Sequence, residues 1–156
     1  MNEQIIARFT CSTQEVLKLM LDIEARVGTS TLSDNPDISK DDITVAIGLS
    51  GDISGEARFC FPRETALEMV KIMCGMEIGE VDDFVMSAMG EISNIISGKA
   101  ATGLSEHQIV CDILPPKIAV SETGTSPENG EEIKKINTTI HTTAGNVELA
   151  VSIFNK

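Results

Sequence analysis

The sequence predicts an α+β fold in which about three helices pack on a mostly antiparallel sheet. Three segments have apolar residues at helical spacing, and two pairs of β-rich runs are joined by short turns that contain glycine. The composition, with 42% hydrophobic and 23% charged residues, is that of an ordinary globular protein. Because 156 residues suffice for one hydrophobic core and are few for two, residues 1–156 are predicted to form a single domain.

The first half of the chain is predicted to contain a helix, a hairpin and a second helix. Ser, Thr and Asp mark a loop after the first helix, and Gly51 with its polar neighbours suits the hairpin turn. Pro62 precedes the second helix, and Gly75 follows it as a stop. The predicted elements are a helix over residues 2–27 that Ser12 could interrupt, a loop over 28–42, strands over 43–49 and 53–61, and a helix over 63–73.

The second half is predicted to begin with the longest helix and to end in a second hairpin. Gly103 is placed to end the helix, and Pro115 with Pro116 ends or edges the strand that follows. Gly145 marks the turn of the hairpin. The predicted elements are a helix over residues 82–102, a strand over 107–113, a polar loop over 121–132, and strands over 133–142 and 147–154.

Charge and hydropathy exclude several kinds of function. A net charge of −12, with only 12 dispersed Lys and Arg residues, would repel nucleic acid. No stretch reaches about 18 continuous apolar residues, and the N-terminal residues lack the pattern of a signal peptide, so we expect a cytoplasmic protein without a membrane span. The four cysteines form no CxxC pair and are predicted to be buried and inert: Cys11, Cys60, Cys74 and Cys111.

The helix that starts near Asp82 carries the candidate site. At about 100° per residue, one arc of this helix is apolar and is predicted to face the core, and it comprises Val85, Ala88, Met89, Ile92, Ile95 and Ile96. A separate arc comprises Asp83, Ser87, Glu91, Asn94 and Gly98. Glu91 and Asn94 stand at i and i+3, so their side chains project together.

Small and polar residues lower the intrinsic stability of this helix. Gly costs about 1 kcal/mol relative to Ala inside a helix, and Asn and Ser are mediocre helix formers. Gly90 and Gly98 also leave parts of the helix surface low, so that another backbone or protein could come close. Such local inconsistency is expected at a functional surface. From the residues alone, a solvated polar face with small residues that permit helix packing explains the pattern as well.

Ser87, Glu91 and Asn94 resemble the signature of the CheC, CheX and FliY phosphatase family by residue and by spacing. The stretch EISNIISGKA resembles the family's helix in its small residues, and the predicted order of elements is similar over nearly the whole chain. The family's later Pro corresponds to Pro115 or Pro116, which follow Asn94 at a slightly shorter distance than is usual. A compact chain with one such helix resembles the CheX branch, because the first helix contains no Glu-x-x-Asn.

The resemblance implies an enzyme that dephosphorylates the phospho-aspartate of a CheY-like response regulator. Its catalytic residues would be Asn94, which positions the attacking water, and Glu91, which pairs with a lysine of the regulator. Ser87, Gly98 and Asp83 would help to bind that partner. The protein would hold no cofactor of its own, because the regulator supplies Mg²⁺.

The resemblance also implies a homodimer in which sheet edges or the first helices meet and each active helix stays exposed. The apolar segment from Val147 to Phe154 is predicted to supply an incompletely protected sheet edge that a second copy would cover.

The same residues argue for or against other functions. A non-catalytic CheX-like module that binds a receiver is the alternative, and the presence of both Glu91 and Asn94 favours the enzyme. A flagellar-switch relative is disfavoured because no switch-binding domain follows residue 156. No base stands near Ser87 in sequence to make it a nucleophile. No metal site is expected at His107 and Cys111, because zinc needs three or four ligands.

Overall fold

The fold, taken from a computed structural model, is described for residues 2–31, 42–120 and 132–154. Within these ranges three helices and seven strands follow one another along the chain. They are α1 (Asn2–Leu21), β1 (Ala25–Thr31), β2 (Ile43–Gly51), β3 (Gly55–Phe61), α2 (Arg63–Cys74), α3 (Asp83–Ser105), β4 (Cys111–Ile113), β5 (Lys117–Val120), β6 (Glu132–Thr142) and β7 (Gly145–Phe154).

All described strand pairs of the sheet are antiparallel. The strand order is β1-β6-β7-β3-β2-β4, and β5 also pairs with β2. The two short strands lie along the same side of β2, with β4 beside Leu49–Gly51 and β5 beside Ile43–Ala46. The predicted α+β fold with an antiparallel sheet is therefore confirmed.

One face of the sheet carries the core. On β2 the side chains of Ile43, Val45, Ile47 and Leu49 are almost fully buried, as expected for alternate positions that face one layer of helices. They form one cluster with apolar side chains of all three helices, among them Phe9, Met69 and Ile92. No described helix is long and apolar enough to cross a membrane.

One helix end has the stop that the sequence predicts, and another has a cap that was not predicted. Gly75 follows α2 in the left-handed conformation, with φ of 73°, and its N–H donates to the carbonyl of Lys71. Asp82 caps α3, since its carboxylate accepts a hydrogen bond from the N–H of Val85 at 3.0 Å.

The first predicted helix is too long, and β1 was not predicted. The helix ends at Leu21 because Asp22, with φ of 54°, turns the chain into a strand that begins at Ala25. The predicted loop over 28–42 is therefore wrong for its first residues, and residues 32–41 lie outside the described parts. No break occurs at Ser12, and the hydroxyl of Thr13 donates to the carbonyl of Phe9 within the continuous helix.

The end of α3 and the segment after it also differ from the prediction. Gly103 does not end the helix, which runs to Ser105; a side chain at Gly103 would lie 2.9 Å from Cδ of Arg8, so the glycine lets α1 pack closely. The predicted strand over 107–113 shrinks to three residues, and β5 was missed. Of the predicted loop over 121–132, residues 121–131 lie outside the described parts of the chain.

The apolar terminal strand is not an edge. β7 pairs with β6 on one side and with β3 on the other, and Val147, Leu149 and Val151 are buried in the core. The predicted need for a second copy to cover this strand is therefore wrong, because the sheet itself covers it.

The cysteines are reduced thiols in different surroundings. Cys60 and Cys111 are buried, Cys74 is half-buried and Cys11 is exposed, so the prediction of burial is wrong for Cys11. Burial, followed by the nearby carboxylate of Asp42, raises the pKa of Cys60 to about 12. This thiol stays protonated near neutral pH and is a poor nucleophile.

Candidate active site

The buried side of α3 fixes which residues point outward. Its apolar arc packs on the sheet as predicted, except that Ile95 is only half-buried. The buried residues are Val85, Ala88, Met89, Gly90, Ile92, Ser93, Ile96, Ser97, Ala100 and Leu104. They span about 200° of the helix circumference at 100° per residue, so the remaining arc is directed away from the core.

All five residues of the predicted site lie on this outward arc. Asp83, Ser87 and Glu91 are exposed, whereas Asn94 and Gly98 are half-buried. Asp83 also lies in the first turn of α3, where a negative charge interacts favourably with the helix dipole. The structure thus brings the five residues together on one surface. On this surface Asp83 also stabilises the start of α3.

Glu91 and Asn94 are free to bind something else. Among the described residues, neither side chain has a hydrogen bond or an ion pair within the chain. The nearest cation along the helix, Lys99, pairs with Glu15 of α1 at 3.2 Å. An unpaired carboxylate and an unpaired amide, one turn apart, offer one anionic acceptor and one neutral group that both donates and accepts.

Side chains of β4 and β5 border one side of the site. The Cδ1 atom of Ile118 occupies the space that a side chain at Gly90 would need. The Cδ1 atom of Ile113 lies 3.8 Å from the position of a Cβ at Gly98. Gly90 therefore admits the chain's own β5, whereas Gly98 remains open. Pro115 and Pro116 form part of the link between these two short strands.

Helix α1 borders the other side. Arg8 lies over Gly103 and hydrogen-bonds the Nε2 atom of His107 at 2.9 Å, while Glu15 holds Lys99. This bond uses His107 as the acceptor and keeps it in a protein contact; among the described residues no group of three or more His, Cys, Asp or Glu could hold a metal ion. The exposed His141 lies far along the sequence, in β6, where it contacts Asn146.

Sequence reasoning missed one residue of this surface. Phe84 is 54% exposed, although an apolar residue at a helix start is usually taken as part of the core. It precedes Glu91 by seven residues, which is about two helical turns. That spacing relative to Glu91 was the signal that could have identified it.

The arrangement favours a macromolecular substrate. A helix surface is convex, and the side chains of Glu91 and Asn94 supply neither a nucleophile with its base nor a metal site. Chemistry on this surface therefore requires a partner that brings the reactive group and most of the catalytic machinery with it.

Fold and site together define a class of α+β proteins with one outward Glu-x-x-Asn helix. A profile of the family described as chemotaxis phosphatase CheX matches residues 43–140. A relative from Thermotoga maritima, the CheY-P phosphatase CheX, is 34% identical over 119 residues, which is 76% of each chain. The protein belongs to the chemotaxis phosphatase CheX family and is accordingly a phosphatase.

Solved structures have the same fold over almost the whole chain. A CheC-like superfamily protein from Shewanella sp. PV-4 has a TM-score of 0.86 at 24% identity, covering 99% of this chain and 100% of the other. The CheX of a CheX-CheY-BeF3-Mg²⁺ complex from Borrelia burgdorferi has a TM-score of 0.78 at 25% identity, covering 96% and 97%. The predicted CheX/CheC-like architecture is thus confirmed.

The two glycines of α3 predict opposite responses to alanine. Gly98→Ala should raise the free energy of unfolding by about 1 kcal/mol, because a Cβ fits there and Ala is the better helix former. Gly90→Ala should gain less or destabilise, because the new Cβ would displace Ile118. Urea denaturation of both variants measures the difference, and a larger gain for Gly90→Ala would contradict the assignment of the open side.

Proposed function

We propose that the protein hydrolyses the aspartyl phosphate of a CheY-like response regulator, with Asn94 positioning the attacking water and Glu91 binding a lysine of the regulator. The observation that carries the proposal is the pair of unpaired side chains on the outward arc of α3, in a chain of a phosphatase family. The relative from Thermotoga maritima is a phosphatase of CheY-P, which supports the same substrate class here.

Mg²⁺ is proposed to arrive with the regulator. The Borrelia burgdorferi complex contains CheY, beryllofluoride and Mg²⁺ together with a CheX. Beryllofluoride has the shape and charge distribution of a phosphoryl group, so such a complex corresponds to a phosphorylated regulator with its metal. The present protein would then need no cofactor of its own.

The reaction needs little from the phosphatase. Water oxygen forms a bond to phosphorus while the bond from phosphorus to the aspartyl oxygen breaks, which leaves the carboxylate and inorganic phosphate and gives the water proton to the products or solvent. Since phosphoryl transfer passes through a largely dissociative transition state, orienting the water in line contributes more than removing its proton early. The amide of Asn94 can accept from and donate to that water without carrying charge.

Glu91 and its neighbours are assigned to docking. The exposed carboxylate has no cation of its own chain to hold, so it is available to a lysine of the regulator. Ser87, Gly98 and Asp83 would form the surrounding contact surface, with Gly98 allowing the partner to come close. Because the substrate would be a regulator inside the cell, the proposal includes a cytoplasmic location.

Asn94→Ala tests the water-positioning role. We expect phosphatase activity to fall about a hundredfold, which corresponds to about 3 kcal/mol in the barrier, with nearly unchanged affinity for the regulator. Phosphate loss from a phosphorylated receiver of the same organism, followed in single-turnover reactions, measures the effect. Ser105→Ala, three turns along α3, is the control and should retain wild-type activity. An Asn94→Ala variant that unfolded or stayed fully active would disprove the assignment.

Glu91→Ala tests the docking role and should weaken both binding and turnover. Removing one partner of an interfacial ion pair costs about 2–5 kcal/mol, which is at least about thirtyfold in the dissociation constant. Binding measured at increasing ionic strength should weaken for the wild type and change much less for Glu91→Ala. Thermal stability should stay near that of the wild type, because the side chain is exposed. Unchanged affinity would refute the docking role.

A homodimer is part of the proposal. It is supported by the resemblance to the family and by the position of β1, which forms one edge of the sheet and pairs with β6 alone among the described strands. Light scattering at micromolar concentration should therefore give twice the chain mass of 16.7 kDa. A mass of one chain at that concentration would rule the dimer out.

A further inference from the structure

Phe84 is the exposed one of the four phenylalanines whose side chains the structure describes. Phe9, Phe59 and Phe61 are at most 1% exposed, whereas Phe84 is 54% exposed at the start of α3. A single exposed apolar residue is common and needs no explanation by itself. The position of Phe84 relative to the catalytic pair is what distinguishes it.

Phe84 lies on the same helical row as Glu91. Seven residues correspond to about 700°, so the two side chains differ by only about 20° in direction and by about 10 Å along the axis. The row continues through Ala88, which is 8% exposed, and the half-buried Ile95. Glu91 is therefore a carboxylate between apolar groups, while Ser87 and Asn94 form the neighbouring row.

Helix α1 adds a second apolar group beside this row. The contacts of Arg8 with Gly103 and of Glu15 with Lys99 show that α1 and α3 run antiparallel side by side. One turn beyond Glu15 is Leu19, which is 77% exposed, and one turn before Lys99 is Ile95. By the register of the two helices, Leu19 follows Glu15 on the side of α1 that is next to α3, level with the turn of Ile95.

We propose that Phe84, with Ile95 and Leu19, forms the apolar part of the surface that docks the phosphorylated regulator. We call these three residues the apolar rim. The inference rests on the proposed function and names the groups that set affinity. An ion pair gains strength when surrounding apolar contacts exclude water from it, as occurs around the energetic centre of protein interfaces. The rim would do this for Glu91 and the regulator's lysine, so the partner must present an apolar patch beside its cation.

The charges near Phe84 favour this partner over a second copy of the chain. Asp82 and Asp83 immediately precede it, and Glu91 follows on its row, all three exposed. Two copies that met face to face at Phe84 would bring these carboxylates together in a protein of net charge −12. A partner that presents a lysine instead pairs with them.

The test compares Phe84→Ala with an equally exposed apolar residue outside the surface. Val110 is also 54% exposed and lies beyond the opposite end of α3, so Val110→Ala is the matched control. Binding to the receiver activated with beryllofluoride and Mg²⁺ is measured by calorimetry, and turnover of the phosphorylated receiver is measured separately. We expect Phe84→Ala to raise both Kd and KM about tenfold with kcat within about twofold of the wild type, and Val110→Ala to change neither.

Further variants separate docking from chemistry. Phe84→Leu should retain part of the affinity, and Leu19→Ala should weaken binding in the same direction. Asn94→Ala should show the opposite pattern, with kcat lost and Kd kept. Unchanged Kd and KM for Phe84→Ala would overturn the apolar rim while leaving the phosphatase proposal intact, provided that Asn94→Ala lost activity.

Three other outcomes would also decide between these proposals. If the wild type bound the activated receiver without accelerating phosphate loss, the phosphatase proposal would fail, and weaker binding by Phe84→Ala would still support the rim. If Phe84→Ala changed the mass in light scattering but not the affinity for the receiver, the patch would be an interface between copies and the inference would be wrong. A wild type that bound no receiver would overturn both.

Discussion

The burial of one side of α3 against the sheet determines the rest of the site. Met89 and Ile92 have no accessible surface and Ile96 has 1%, and each such side chain contributes about 1.5–3 kcal/mol when it leaves water. Exposing these apolar side chains to water would cost far more free energy than any single contact on the outward arc could contribute. The direction of Glu91 and Asn94 is therefore set by residues that never meet a substrate, and the glycines and serines of the helix are tolerated because this burial compensates for them.

The proposed reaction divides the chemical work between two proteins. The outward arc of α3 presents the amide of Asn94 and the carboxylates of Asp83 and Glu91 on a convex surface. In the proposed reaction the regulator carries the phosphoryl group, the metal and a lysine, so this protein has only to orient the water and to fix the register. Such a division explains how a chain of 156 residues can serve as a phosphatase through an exposed helix surface.

Local signals in the sequence predicted the elements that local interactions determine. Gly51 and Gly145, with φ of 100° and 130°, mark the two hairpins, and Gly75 ends α2. The outward arc of α3 followed from its period. The missed strands depend on distant partners, since Ala25 of β1 pairs with Thr142 and the four residues of β5 are held by β2. The end of α3 was predicted wrongly at Gly103 for the same reason, because this glycine makes room for Arg8 of α1. The same period places Phe84 on the outward arc, seven residues before Glu91, although an apolar residue at a helix start is usually assigned to the core.

The contact between Ile118 and Gly90 bears on the rate at which the protein associates with a partner. The side chain of Ile118 in β5 fills the space at Gly90 on one flank of α3. On the other flank, side chains of α1 bind Lys99 and His107. The helix therefore cannot turn about its own axis without breaking contacts on both flanks. The helix backbone that carries Asn94, the residue proposed to orient the water, is thus held in place before any partner arrives. Encounter should then resemble the meeting of two rigid bodies, in which charge steering and collision set the association rate and no slow rearrangement of this protein precedes hydrolysis.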